Sequence, residues 1–406
     1  MLQRKANTYR LYPDTEQRLA LGRIAGACRA VYNLALEQRR DWWQKYKVRT
    51  GKAISFAGQC RELTDLRRDV DWLREAPIHP LQQALRDLDR AYQGFFAGRG
   101  GYPSPRRKGR NDSFRFPDPT GLKVERTGKR SGRIKLPKLG WVAFRGWYAL
   151  PGAIRNITIS LRAGQWFASV QWEREVAEPV ASELPPVGID MGVSVFAALS
   201  NGTTIAPGNF GRKTMRVLRK AQRAVSRKKK GSANRRKALR RVQRLHARVA
   251  NARKDFLHKV STSIAKNHGM VVVEKLKVRN MSASAKGTAE EPGRNVRQKA
   301  GLNRSILDQA WRLFFILLGY KLAERGARLV EGPPAYTSQT CSACGHVDPA
   351  NRISQARFVC QACGYTENAD INAAKNILRR ADCPLKPVEG HRIERPNEAG
   401  STRRAA

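Results

Sequence analysis

Acid is what this chain has little of. Its 406 residues hold 33 Asp and Glu against 78 Lys and Arg, a formal net charge of +45. The excess is spread along the whole chain, which argues against a single basic tail and for a long polyanion as partner, bound through phosphate contacts and counterion release. Long apolar runs are also missing. No stretch of 18 apolar residues occurs and the N-terminus has no signal-peptide core, so neither a membrane-spanning helix nor export is expected. A His-containing tyrosine motif is absent too, which leaves no nucleophile for a tyrosine transposase, and no useful repeat is present. Seven cysteines suit a reducing cytoplasm. The 41% hydrophobic content is ordinary, and the length allows two to four domains.

What is there begins with four of those cysteines. Cys341 and Cys344 form one C-x-x-C pair, Cys360 and Cys363 a second, and 15 residues lie between the pairs. Zinc takes four soft ligands at tetrahedral corners, and two tight C-x-x-C turns supply two thiolates each. Gly345 and Gly364 follow the second cysteine of each pair, where the backbone must turn under the metal. This spacing predicts a zinc ribbon with one structural Zn²⁺. Of the remaining cysteines, Cys28 lies on an apolar helical face and reads as core, while Cys60 and Cys383 have no assigned task.

Three carboxylates stand at the edges of apolar elements. Asp190 lies in VGIDMGV (187–193), Glu274 directly follows three valines in MVVVEKL (270–276), and Asp370 opens a helical pattern in NADINAAKNIL (368–378). An acid on a buried strand is costly unless it is paired or holds a metal. Taken alone, Asp370 reads as a plain helix N-cap. Taken together, the three suit Mg²⁺, which prefers hard oxygen ligands, and cleavage of phosphodiesters by a pair of ions.

As a set, GIDMGV, VVVEKL, TSQTCSACG, FVCQACG and NADINAAKNI resemble the TnpB (OrfB-type) proteins of IS200/IS605-like transposons, relatives of the type V CRISPR nucleases. The resemblance covers most of residues 1–380 and is strongest after Val187. It implies a multidomain α/β protein with a RuvC-like nuclease core of RNase H fold (183–335 and 366–380) and an inserted zinc ribbon (336–365). A β-barrel wedge domain (1–12 and 101–182) carrying a helical recognition insertion (13–100) would precede the core. It implies an RNA-guided DNA endonuclease with Asp190, Glu274 and Asp370 as catalytic triad and ligands of two Mg²⁺, for which Mn²⁺ can substitute. The partners implied are a guide RNA from the transposon end and double-stranded target DNA, in a prokaryotic cytoplasm at the nucleoid. A non-cleaving regulator of the same fold, or an accessory transposase in strand transfer, is the alternative.

Along the chain, 3–12 reads as a strand, and Asp14 with Gln17 as a capping box for a helix running to about Arg40. Further helices are expected over 56–72 and 80–96. Gln83 on the last of these, and Arg106, Arg107 and Lys108 in the Gly/Pro/basic segment 98–114, are candidate nucleic-acid contacts. Alternating patterns over 113–172 predict an antiparallel sheet. Residues 211–260 carry 20 Lys and Arg and one acid, Asp255, and read as a basic helical hairpin. Lys228, Lys229, Lys230, Arg235 and Arg236 around its turn are candidates for an RNA or heteroduplex backbone. Residues 277–303 read as a polar loop, 305–324 as one helix, 327–330 as a strand, and the last 25 or so as a disordered tail.

Overall fold

The computed structural model describes residues 1–110 and 112–380; the expected tail and Cys383 lie outside them. The chain divides into two units, Met1–Ala177 and Glu178 onward.

The first unit opens with β1 (Leu2–Leu11) and continues with α1 (Thr15–Trp42), α2 (Val48–Thr50), α3 (Phe56–Asp69), α4 (Asp71–Glu75) and α5 (Ile78–Phe96). The Asp14 side chain accepts from Gln17 N and Gln17 answers on Asp14 N, the reciprocal cap that sets where α1 begins. Six strands follow: β2 (Ser113–Phe116), β3 (Lys123–Arg126), β4 (Ser131–Leu136), β5 (Gly140–Arg145), β6 (Ala153–Arg162) and β7 (Gln165–Glu175). The β6–β7 turn at Ala163 and Gly164 has φ of 49° and 76°, the left-handed pair that matches the twist of a hairpin. The strands order β2-β6-β7-β1-β5-β4-β3, so the N-terminal strand is central. The edge strands β2 and β3 are not paired with each other, and the expected barrel is not closed by hydrogen bonds among the described residues. One core joins sheet and helices, from Tyr9, Phe144 and Val170 to Leu21, Leu81, Leu85 and Leu88.

The second unit holds β8 (Pro186–Met191), β9 (Ala197–Leu199), β10 (Thr204–Ile205), α6 (Phe210–Ser226), α7 (Ala233–Asn267) and β11 (Met270–Glu274). After them come α8 (Val278–Met281), α9 (Val296–Gln309), α10 (Trp311–Ala323), β12 (Arg328–Gly332), β13 (Arg357–Val359), β14 (Thr366–Asn368) and α11 (Ala369–Arg379). Its main sheet orders β10-β9-β8-β11-β12, with β8, β11 and β12 parallel and the first two strands antiparallel. One face of β8 and β11 packs Val187, Ile189, Val271 and Val273 against Leu257 of α7 and Phe314, Leu318 and Leu322 of α10. The other face packs Val272 against Ile377 of α11.

Two further expectations needed correction. The helix predicted over 305–324 is two helices, broken at Ala310 with φ of 54°, because apolar periodicity carries through a single left-handed residue without showing it. The loop predicted over 277–303 contains α8 and the start of α9, held by Lys299 Nζ on Met281 O at 2.8 Å and Asn303 Nδ2 on Ser282 O at 3.1 Å. Among the described residues no helix is long and apolar enough to cross a membrane.

Candidate active site and metal centre

Three elements bring the carboxylates together, and period-two alternation aims two of them. On β8, Val187, Ile189 and Met191 face the main core, which turns Gly188 and Asp190 to the opposite side. On β11, Val271 and Val273 face the same core, turning Val272 and Glu274 the other way. The strands pair in parallel from Met270↔Pro186 to Val273↔Ile189, so Asp190 and Glu274 follow as neighbours where the paired ladder ends. The third element, α11, lies against that face because Gly188 lets it. A Cβ there would stand 2.1 Å from Ala374 O and 2.7 Å from Leu378 N. Asp370 sits in the first turn of α11. The cap is Asn368, whose side chain accepts from Asp370 N and Ile371 N. The plain N-cap reading of Asp370 therefore fails, since another residue satisfies the helix end and leaves that carboxylate to other uses.

The electrostatics report a site short of positive charge. Burial first, then the negative charges of Glu274 and Asp370, push the Asp190 carboxyl up to about 7 against an ordinary 3.8. Burial also raises Glu274, opposed by the Thr337 hydroxyl, and raises Asp370, opposed by Arg352. Buried like charges with perturbed titration mark a place that takes a cation or a proton.

Arg352 is a residue the sequence reading missed. Its guanidinium reaches Asp370 Oδ1 at 3.4 Å and Gln355 O at 3.0 Å. Gln355 in turn approaches Ser194 Oγ at 3.4 Å. Both belong to the 15-residue spacer between the cysteine pairs. Nothing in the sequence marks one arginine of 78 basic residues as facing a carboxylate; only the folded ribbon does so.

The four cysteine sulfurs all lie within 4.8 Å of one another, the one such group of potential ligand atoms among the described residues; the three carboxylates do not form one. Cys341 Sγ is 3.8 Å from Cys363 Sγ, and Cys344 Sγ is 3.6 Å from Cys360 Sγ. These separations are far from a disulfide bond of about 2.05 Å. They match the edge of about 3.8 Å of a tetrahedron with zinc–sulfur bonds of about 2.3 Å. Gly345 and Gly364 take φ of 82° and 71°, and Gly345 N and Gly364 N return to Cys341 O and Cys360 O at 3.0 Å each. The donor set and its spacing fit a structural zinc.

Of the candidate nucleic-acid contacts, Lys228, Lys229 and Lys230 are exposed in the turn between α6 and α7. Arg236 is exposed beside them, and Arg235 is half-buried with its N–H capped by Ser232 Oγ at 3.1 Å. Arg107 and Lys108 are exposed, and Gln83 is half-buried on α5. Arg106 is engaged inside the first unit. It pairs with Asp87 at 2.8 Å and lies over the Tyr32 ring at 4.1 Å, while Asn33 brackets its backbone.

Known proteins place the chain in company that fits this geometry. Residues 169–285 match the OrfB_IS605 family, described as "Probable transposase". Residues 311–377 match a "Cas12f1-like, TNB domain", and residues 1–47 a "Helix-turn-helix domain" of the OrfB_IS605 type. In this chain the last of these stretches is β1 followed by one long helix, α1. "Putative RNA-guided DNA endonuclease InsQ" of Escherichia coli (strain K12) is 45% identical over 395 residues, 97% of this chain and 96% of its own. A "Putative RNA-guided DNA endonuclease" of Streptomyces pristinaespiralis is 36% identical over 382 residues, 92% of this chain and 89% of its own. Among solved structures, a Cas12f1–sgRNA–target DNA complex aligns with a TM-score of 0.56 at 13% identity, covering 93% of this chain and 98% of that one. At that identity the likeness is one of fold. Family matches at both ends and in the middle, with two relatives aligned over nearly the whole length, give one conclusion: the chain belongs to the OrfB_IS605 family, the TnpB proteins.

Proposed function

We propose that this protein is an RNA-guided DNA endonuclease that hydrolyses phosphodiester bonds of guide-matched DNA at the Asp190–Glu274–Asp370 cluster. The observation that carries the reading is the convergence of three carboxylates from β8, β11 and α11 in a site where burial and mutual repulsion drive Asp190 to about 7. The names of the two long relatives support it. Strand order β10-β9-β8-β11-β12, with three antiparallel strands continued by two parallel ones, supports a RuvC-like core of RNase H fold over 183–335 and 366–380. The ribbon at 336–365 is inserted before its last helix. The sheet formed by 1–12 and 101–182 serves as wedge, and the helices within 13–100 as recognition insertion.

Hard carboxylate oxygens on buried backbone suit Mg²⁺, with Mn²⁺ as substitute, and the wide acidic cluster has donors for two ions. When bound, such ions supply the Lewis acidity that activates water and steadies the leaving oxygen. The chain's own contribution is placement. Asp190 and Glu274 are held on adjacent strand ends, and Asp370 is held on a helix pressed against Gly188. Arg352 keeps Asp370 company until a phosphate oxygen competes for its guanidinium. The exposed Lys228–Lys230 turn takes backbone phosphates of a guide RNA from the transposon end or of its DNA heteroduplex. Base pairing selects the target, and the protein reads a short flanking motif. The setting is a prokaryotic cytoplasm, at the nucleoid. A non-cleaving regulator has no use for three carboxylates gathered at electrostatic cost, and the endonuclease names of the two long relatives weigh against a strand-transfer accessory.

The test is to purify the protein with its RNA, sequence that RNA, and offer a matched duplex with a randomised flank. One defined RNA species and Mg²⁺-dependent cutting are expected. Asp190→Ala abolishes cutting and leaves RNA and target binding intact. Cutting by that variant at the wild-type rate would overturn the assignment.

A further inference from the structure

Thr337, the first residue of TSQTCSACG, is 4% exposed, and its hydroxyl donates to Glu274 Oε1 at 2.5 Å. Pro334 O lies 3.3 Å from the same hydroxyl. A hydroxyl has a single proton, so the shorter, charge-assisted bond takes it. What holds Thr337 in turn is α11. Asn376 Nδ2 donates to Thr337 O at 3.0 Å and to Thr340 O at 2.6 Å. One turn earlier, Asn372 Nδ2 donates to Thr340 O at 2.9 Å, and its Oδ1 accepts from Ser342 N at 2.9 Å. Asn372 and Asn376, spaced i, i+4, share a face of the helix. They are buried, at 0% and 4% exposure, and their hydrogen bonds go to the turn that enters the zinc ribbon. A continuous set of bonds therefore runs from the residue beside Cys341, along the helix that carries Asp370, to Thr337 and Glu274.

We propose that Thr337 is a positioning residue: it occupies one carboxylate oxygen of Glu274, presents the other to a divalent cation, and takes its own place from the ribbon through Asn372 and Asn376. This rests on the endonuclease reading and adds to it. Two features distinguish the role from a plain turn closure. The bond is to a charged acceptor on another element, β11, and Thr337 links the strand bearing Glu274 to the helix bearing Asp370. Groups that orient a metal ligand from behind cost about 10- to 100-fold in metal affinity when lost.

The experiment uses the full chain carrying Thr337→Val, which keeps the shape and removes the hydroxyl, and Thr337→Ser, which restores it. Mn²⁺ binding is followed by electron paramagnetic resonance, with Asp190→Ala defining the background from other sites, and zinc content and Tm are measured alongside. The Val variant is expected to keep one zinc and lose at least about tenfold in Asp190-dependent Mn²⁺ affinity. The Ser variant is expected to return close to wild type. Mn²⁺ binding by the Val variant equal to wild type overturns the role, as does equal weakening in Val and Ser. Zinc loss in the Val variant also overturns it, because Thr337 then serves ribbon folding alone. A wild type without Asp190-dependent Mn²⁺ binding sinks the endonuclease reading itself, an outcome separate from normal binding that the Val change leaves untouched.

Discussion

Replacing Asp190 by Asn should stabilise the protein in Mg²⁺-free buffer while abolishing cleavage. The carboxyl ordinarily titrates at 3.8 and is pushed up to about 7 by burial, then by Glu274 and Asp370. At about 1.4 kcal/mol per factor of ten, holding it ionised in the fold costs about 4 kcal/mol. The folded protein binds this proton more tightly than the unfolded chain does. Its contribution to stability is therefore full below pH 3.8, falls as pH rises to about 7, and is flat above that. Asn has nearly the same shape and no charge, and its amide can donate to the neighbouring carboxylates. Its advantage over Asp should thus be absent near pH 4, grow towards pH 7 and then hold level. If half of the cost is relieved by water entering the site, the gain at pH 8 is about 2 kcal/mol, or about 4–8 °C in Tm for a unit of this size. The assay is thermal unfolding of both forms from pH 4 to 8, repeated with Mn²⁺, which should raise the wild-type Tm and leave the variant unmoved. Equal Tm at pH 8, or an advantage larger at pH 4.5 than at pH 8, would refute the account of Asp190 as a charge held against its own environment.

The other predictions concern the supports of the site. Gly188→Ala places a methyl 2.1 Å from Ala374 O, so α11 must shift; a loss of about 1–3 kcal/mol is expected, with slower cleavage, and unchanged Tm and rate would show that the close approach is not needed. Cys360→Ser should lose the single zinc and loosen the segment leading into α11, read as zinc content by elemental analysis and faster amide exchange around Asp370. Neutralising Lys228, Lys229 and Lys230 together should lower the slope of log affinity against log salt by about 2–3 whatever the guide sequence, and an unchanged slope would assign them to a solvated turn.

Local order was legible in the sequence because neighbours along the chain determine it. Short apolar runs in VGIDMGV and MVVVEKL put Asp190 and Glu274 on strands, the capping box set the start of α1, and the cysteine spacing marked the ribbon. Residue type and spacing carry that information without any fold around them. The break at Ala310 escaped because a single left-handed residue leaves an apolar pattern intact. The site itself depends on contacts far apart in the chain. Arg352 faces Asp370 because the ribbon folds its spacer back onto α11, and Thr337 reaches Glu274 across 63 positions. Gly188 matters because a helix beginning 181 residues later comes to lie on it. The sequence by itself determined which residues could bind metal and on what kind of element each sits. Only the tertiary structure decided which of them meet and what stands behind them, because long-range approach is set by packing and buried hydrogen bonds rather than by local pattern.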